Sequence, residues 1–118
     1  MSNNIVNDFN SYRSKMNEKM LADNNKVIKR MFNLDTNAYK EGVLPKKTKE
    51  LLGLGNSLVL RCDDCVRYHL EECHKLHSSK EEVVEAMSIS LLIGGSIVIP
   101  HLRRAFEYWE ALDSNVKN

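Results

Sequence analysis

The segment Arg61-Cys62-Asp63-Asp64-Cys65-Val66-Arg67-Tyr68-His69 carries two thiols and an imidazole in close succession. On an ideal helix at about 100° per residue, Cys65 lies about 60° from Cys62, and His69 about 40° from Cys65. The Cα atoms of Cys62 and Cys65 would then stand ~5 Å apart, inside the range that a disulfide bridges. His69 follows Cys65 by four residues, the interval at which helical side chains meet. A free thiol has a pKa near ~8.5 and is mostly protonated at neutral pH. An imidazole within reach takes that proton or stabilises the thiolate. Two bridgeable thiols beside a base make a redox dithiol.

Both cysteines qualify as nucleophile. A helix starting near Cys62, just after the polar break Gly55-Asn56-Ser57, would lower the pKa of Cys62 through its unpaired N–H groups. Cys65 has its histidine instead. Asp63 and Asp64 disfavour a thiolate, and Arg61 and Arg67 partly offset them. The reading favours Cys65 as the attacking thiol and Cys62 as the resolving one.

A zinc site competes for the same residues, because His69, Cys73, His74 and His77 follow the Cys-x-x-Cys pair. Cys62 and Cys73, however, would be ~16 Å apart along one helix, whereas zinc ligands converge within ~4 Å of one another. There is no second Cys-x-x-Cys to complete such a site. Zinc therefore ranks below redox chemistry. Cys73 falls on an apolar face and reads as a packing residue. His74 and His77 are expected at a solvated helix end, and His101 as a surface residue in a first helical turn.

The elements that must position this constellation read as helices almost throughout. Ile5, Phe9, Tyr12, Met16 and Met20 draw an amphipathic stripe, and Val27, Ile28, Met31 and Phe32 a second patch after a break at Asn24-Asn25. From Leu34 to Leu44 the pattern weakens. Asp35 or Thr36 could cap a short turn there, which Gly42 would end. Pro45 suits a first helical turn, and the apolar run from Glu50 to Leu60 reads as a buried helix. Gly53 and Gly55 weaken that helix by up to ~1 kcal/mol each, tolerable where another helix approaches closely. From Arg61 to Leu76, Cys65, Val66, His69, Leu70, Cys73 and Leu76 share one side. Ser79 and Glu82 form a capping-box pattern for a mostly buried helix that Gly94-Gly95 stops. Pro100 opens the last helix, with Leu102, Ala105, Phe106, Trp109 and Leu112 as its stripe. The expectation is one all-α domain of five to seven helices over residues 1–118, with 1–40 as an N-terminal helical extension and 44–112 as the motif-bearing core.

Composition agrees with this class and excludes others. Of 118 residues, 42% are apolar and 28% charged, a globular balance. Seventeen basic against sixteen acidic residues leave a net charge of +1, without the basic excess of a nucleic-acid binder. Three cysteines do not make a secreted disulfide scaffold. The opening residues lack a signal-peptide pattern, and the longest apolar-rich run, Ala86 to Pro100, is shorter than the ~20 residues that span a bilayer. A cytoplasmic location is the expectation. No glycine-rich phosphate loop points to an organic cofactor.

In order along the chain, Glu50, Cys62-x-x-Cys65-x-x-x-His69, the Ser79-Lys80-Glu81-Glu82 helix start and Gly94-Gly95 resemble the carboxymuconolactone decarboxylase family, in its alkylhydroperoxidase D-like (AhpD-like) branch. The resemblance spans about Leu44 to Leu112. It implies an all-helical fold assembling as a homo-trimer or homo-hexamer, with thiol peroxidase or disulfide reductase activity. It also implies that Glu50, twelve residues before the first cysteine, joins Cys62, Cys65 and His69 in a proton relay. The decarboxylase branch typically lacks the cysteine pair. Studied enzymes of the AhpD-like branch carry a histidine immediately before the second cysteine, where this chain has Asp64. The substrates implied are a hydroperoxide or a protein disulfide, and the reductant a lipoyl or thioredoxin-like dithiol protein.

Overall fold

Helix boundaries fall where side chains or backbone geometry satisfy the free N–H groups of a helix start or stop the ladder at its end. Asn25 accepts from the Val27 and Ile28 amides, and Asn24 before it takes a left-handed φ of 64°. Ser79 and Glu82 close a reciprocal capping box. Gly95, at φ 82°, ends its helix in a conformation that a side chain would strain. The resulting computed structural model describes residues 4–117. Among them it forms six α-helices: α1 (Asn4–Ala22), α2 (Lys26–Ala38), α3 (Lys46–Val59), α4 (Asp63–Lys75), α5 (Lys80–Gly94) and α6 (Ile99–Lys117). A 3₁₀ turn at Ser96–Val98 leads into α6. The all-α architecture is the one expected.

The α3–α4 hairpin is the centre of the fold. It packs against α5 through α3 and against α6 through α4, while α1 lies across α6. Leu54 and Leu58 of α3 meet Val66, Leu70 and Cys73 of α4 in the core, with Val83 and Met87 of α5 and Ala105, Tyr108 and Trp109 of α6. Tyr108 pins three helices together. Its hydroxyl donates to Glu71 Oε2 at 2.7 Å, and Asn10 of α1 donates to Glu71 Oε1 at 2.8 Å. Burial, reinforced by Glu71, pushes the Tyr108 phenol well above its usual range.

The helix carrying the motif starts at Asp63 with Cys62 as its N-cap, which agrees with a helix start near Cys62. Several other local expectations need correction. No separate turn is capped at Asp35 or Thr36, because α2 runs on to Ala38 and the Thr36 hydroxyl bonds back to the Phe32 carbonyl. α1 faces inward through Val6, Phe9 and Arg13, so Phe9 of the apolar stripe packs on the core while Tyr12 is left 66% exposed. α5 is only partly covered. Val83, Met87 and Ser90 are buried, whereas Ile89, Leu92 and Ile93 face outward. His74 is not a solvated end residue: it packs edge-on against Trp109 and bonds Asp113 at 3.1 Å. His101 is also engaged, as described below.

Candidate redox site

Cys62 and Cys65 are joined by a disulfide, their Cα atoms 5.3 Å apart. The turn between α3 and α4 makes this possible. Arg61 takes a left-handed φ of 61°, which swings Cys62 to the mouth of α4, where its Sγ accepts the Cys65 N–H at 3.3 Å. A sulfur so placed receives the positive end of the helix dipole. Cys65, one turn on, is exposed, whereas Cys62 is half-buried. An incoming group therefore meets Cys65 first.

Cys65 opens into a groove of about 490 Å³ between α1, α2 and α4. Tyr68 and His69 line it beside the cysteine, Phe32 and Asp35 come from α2, and Arg13 from α1. The Arg13 guanidinium lies over the Tyr68 ring, 4.6 Å from its centroid. Burial first, and Glu72 second, raise the Tyr68 phenol to about 12, so it is neutral across the physiological range.

Behind the groove lies a buried ionisable pair. Glu50 of α3 is fully buried, and its Oε1 is 2.8 Å from Nδ1 of His69. Lys46, one turn earlier, reaches Glu50 Oε2 at 3.4 Å. An ionised Glu50 can only accept, which assigns the proton to Nδ1 and leaves Nε2 as the basic nitrogen. Nε2 faces the Tyr39 hydroxyl at 3.5 Å, and the two rings are 5.2 Å apart between centroids. The Tyr39 phenol is raised by burial, then by Glu50 and Asp35. Gly53 makes room for this arrangement. A Cβ there would stand 2.6 Å from His69 Cε1 and 2.7 Å from the Tyr39 hydroxyl. The close approach suggested by the two glycines of α3 is thus made, and at Gly53 the group that approaches is the imidazole.

The four singled-out residues do not all converge in the expected way. Glu50 and His69 are in direct contact, and His69 shares the groove wall with Cys65. Among the described residues, the ring nitrogens of His69 turn to Glu50 and Tyr39 rather than to a sulfur. Asp64 points outward and pairs with Arg67 at 3.0 Å. Asp63 turns the other way, toward α6. His101 Nδ1 lies 2.8 Å from its Oδ1, and Arg104 Nε donates to its Oδ2 at 2.8 Å. Burial opposes ionisation of Asp63, but these two hydrogen bonds outweigh it and hold the carboxyl below its usual range. Cys73 is fully buried, and burial pushes its thiol up to about 12. It stands apart from the disulfide as a packing residue.

Tyr39, Arg13 and the His101–Arg104 pair went unread in the sequence because their partners are 30 or more residues away. Gly53 was the one local signal. Among the described residues, no three of His, Cys, Asp and Glu gather closely enough to hold a metal ion.

Comparison with known proteins places this geometry in a family. The family model described as "Carboxymuconolactone decarboxylase family" matches residues 25–108. A Thermotoga maritima protein of known crystal structure is 52% identical over 94% of this chain and 97% of its own, with a TM-score of 0.91. A second crystal structure of that protein describes it as a carboxymuconolactone decarboxylase family protein for which a part in the antioxidative response is suggested. A Legionella pneumophila member of the same family, in its apo form, superposes with a TM-score of 0.60 at 29% identity, covering 93% of this chain and 88% of that one. An uncharacterised protein of Cupriavidus necator is 29% identical over 65% of this chain and 68% of its own length.

Proposed function

Because the chain belongs to the carboxymuconolactone decarboxylase family, we propose that it is a thiol-dependent oxidoreductase that cycles its Cys62–Cys65 pair to reduce a hydroperoxide or a partner's disulfide. The observation that carries this reading is the disulfide itself, placed at a helix mouth on the rim of an open groove with the Glu50–His69 pair behind it. The antioxidative role suggested for the Thermotoga maritima protein points the same way.

In the reduced enzyme, Cys65 attacks the terminal oxygen of a hydroperoxide. The O–O bond breaks, the alcohol leaves with the proton given up by the thiol, and Cys65 becomes a sulfenic acid. His69, on the same groove wall, relays that proton, while Glu50 fixes the ring's tautomer and stabilises its cationic form. Cys62 then attacks the Cys65 sulfur, forming the disulfide and releasing water. The N–H contact that Sγ of Cys62 receives in the oxidised form favours its thiolate in this step. To complete the cycle, a thiolate of the reductant attacks the exposed Cys65 sulfur. Cys62 departs as the stabilised thiolate, and the donor's second thiol releases Cys65 and carries away a disulfide. A lipoyl or thioredoxin-like dithiol protein fits this requirement.

The protein self-associates in this reading, as a homo-trimer or homo-hexamer. Ile89, Leu92, Ile93 and Ile97 are each more than half exposed on α5 and the turn after it, an apolar face that a second copy would cover. Light scattering tests the subunit number. Among the described residues, no helix is long and apolar enough to cross a membrane. In this reading the protein works in the cytoplasm, where dithiol donors are kept reduced.

Intact-mass measurement after stoichiometric hydroperoxide tests the cycle. Prereduced wild type should lose two hydrogens, while Cys62→Ser should gain one oxygen as a trapped Cys65 sulfenic acid. If both thiols stay reduced, the enzymatic reading fails.

A further inference from the structure

The carboxylate next to the resolving cysteine is claimed by α6. Asp63 follows Cys62 directly and occupies the first position of α4, where its negative charge and a Cys62 thiolate would compete for the same helix-end field. A carboxylate one residue from a thiolate disfavours that thiolate. Both Asp63 oxygens are nevertheless taken, Oδ1 by His101 and Oδ2 by Arg104, each at 2.8 Å. Those two residues lie in the first turns of α6, 38 and 41 residues away in sequence. They reach the end of α4 that carries the redox pair through Asp63, and the cluster packs on Val66 and Ala105 rather than in the groove.

We propose that Arg104 and His101 are positioning residues for the redox pair, neutralising Asp63 and anchoring the mouth of α4 so that Cys62 forms a thiolate readily. This rests on the reading of Cys62–Cys65 as a redox pair. The other charges nearby are differently employed. Asp64 is paired with Arg67, and Arg61 is exposed on the turn before Cys62. Arg104 is therefore the permanent cation that answers Asp63. Removing the cation leaves the Asp63 charge, one residue from Cys62, unneutralised and lowers the thiolate fraction. Removing the carboxylate leaves the Arg104 charge uncompensated at the mouth of α4 and raises it. The two substitutions act with opposite sign, which a mere loosening of the α4–α6 contact cannot do.

The test reads the Cys62 thiol without turnover. In a Cys65→Ser background, the rate of iodoacetamide alkylation is followed against pH, with Cys73 silent because it is buried and its thiol is held near 12. Arg104→Gln should lower the thiolate fraction at neutral pH by about threefold to tenfold, and Asp63→Asn should raise it by a similar factor. Arg104→Lys, which keeps the charge, should recover most of the loss. Shifts of the same sign in Arg104→Gln and Asp63→Asn, or no shift in either while helical circular dichroism is retained, would overturn the proposal. An Arg104→Gln chain that fails to fold leaves Arg104→Lys and Asp63→Asn to decide: a fall in thiolate fraction in Asp63→Asn, or no change, sinks it. Because alkylation needs no peroxide, such a failure is distinct from failure of the redox cycle, which the intact-mass experiment reads.

Discussion

Substituting Gly53 by alanine should damage the site far more than the fold. The new Cβ would sit 2.6 Å from Cε1 and 2.8 Å from Nε2 of His69, and 2.7 Å from the Tyr39 hydroxyl. Carbon atoms rest at ~3.5 Å or beyond, so the ring must retreat by roughly 0.9 Å. It cannot do so freely, because Nδ1 is held by Glu50 at 2.8 Å and Glu50 is fully buried. Alanine favours the helix by ~1 kcal/mol over glycine, while overpacking costs about 1–3 kcal/mol. The net destabilisation should be about 0–2 kcal/mol, readable by thermal or denaturant unfolding. Displacing a catalytic group by ~1 Å can cost on the order of a hundredfold in rate. Thiol-dependent consumption of an organic hydroperoxide should therefore fall by about ten- to a hundredfold in protein that remains folded. Gly55→Ala is the matched control. It lies on the same helix, gains the same helical propensity, and its Cβ meets only the Ser90 hydroxyl, at 3.3 Å. It should keep wild-type activity. If Gly53→Ala turns over at the wild-type rate, or Gly55→Ala loses as much, the role given to the His69 position is wrong.

Other perturbations probe separate links. Glu50→Gln keeps the shape but removes the charge behind His69, and peroxide reduction should fall about ten- to a hundredfold with helical content unchanged; an unaltered rate would remove Glu50 from the relay. Asp63 has a folded pKa below its ordinary value of 3.8, so its contribution to stability is complete above that value and is lost as pH falls through the lower folded one. The stability gap between wild type and Asp63→Asn should hold near neutrality and shrink below about pH 4 in denaturant titrations, and a gap indifferent to acid would contradict the ion pairing. Ser79→Ala removes one half of the capping box and should cost ~1 kcal/mol of stability without touching activity. Cys73→Ala should leave peroxide turnover intact while lowering the midpoint of thermal unfolding, since that thiol only fills the core.

Much of the architecture was legible from short-range patterns, because short-range physics sets it. Asn25, Ser79 and Gly95 bound helices through interactions within four residues, so their types alone announce the breaks. Inward faces were less legible where a helix carries more apolar positions than one protomer covers. In α5, Val83 and Met87 turn inward while Ile89, Leu92 and Ile93 remain exposed, and periodicity cannot distinguish a core from an interface. α1 shows a related ambiguity, since Phe9 sits on the edge of both the stripe and the face that packs.

The candidate site divides along the same line. By itself the sequence determined that Cys62 and Cys65 are close enough to bridge, since three residues of backbone leave them little choice, and that His69 lies on the same helix as Cys65. It also determined the all-helical class and the glycines that permit a close approach. Only the tertiary structure decided that the imidazole turns its nitrogens to Glu50 and Tyr39, that the Cys62 sulfur accepts the Cys65 amide at the mouth of α4, and that α6 takes hold of Asp63. Each of these joins residues on different elements or depends on the backbone at a turn. Their direction is set by how whole helices pack, a sum over many side chains that no local spacing contains.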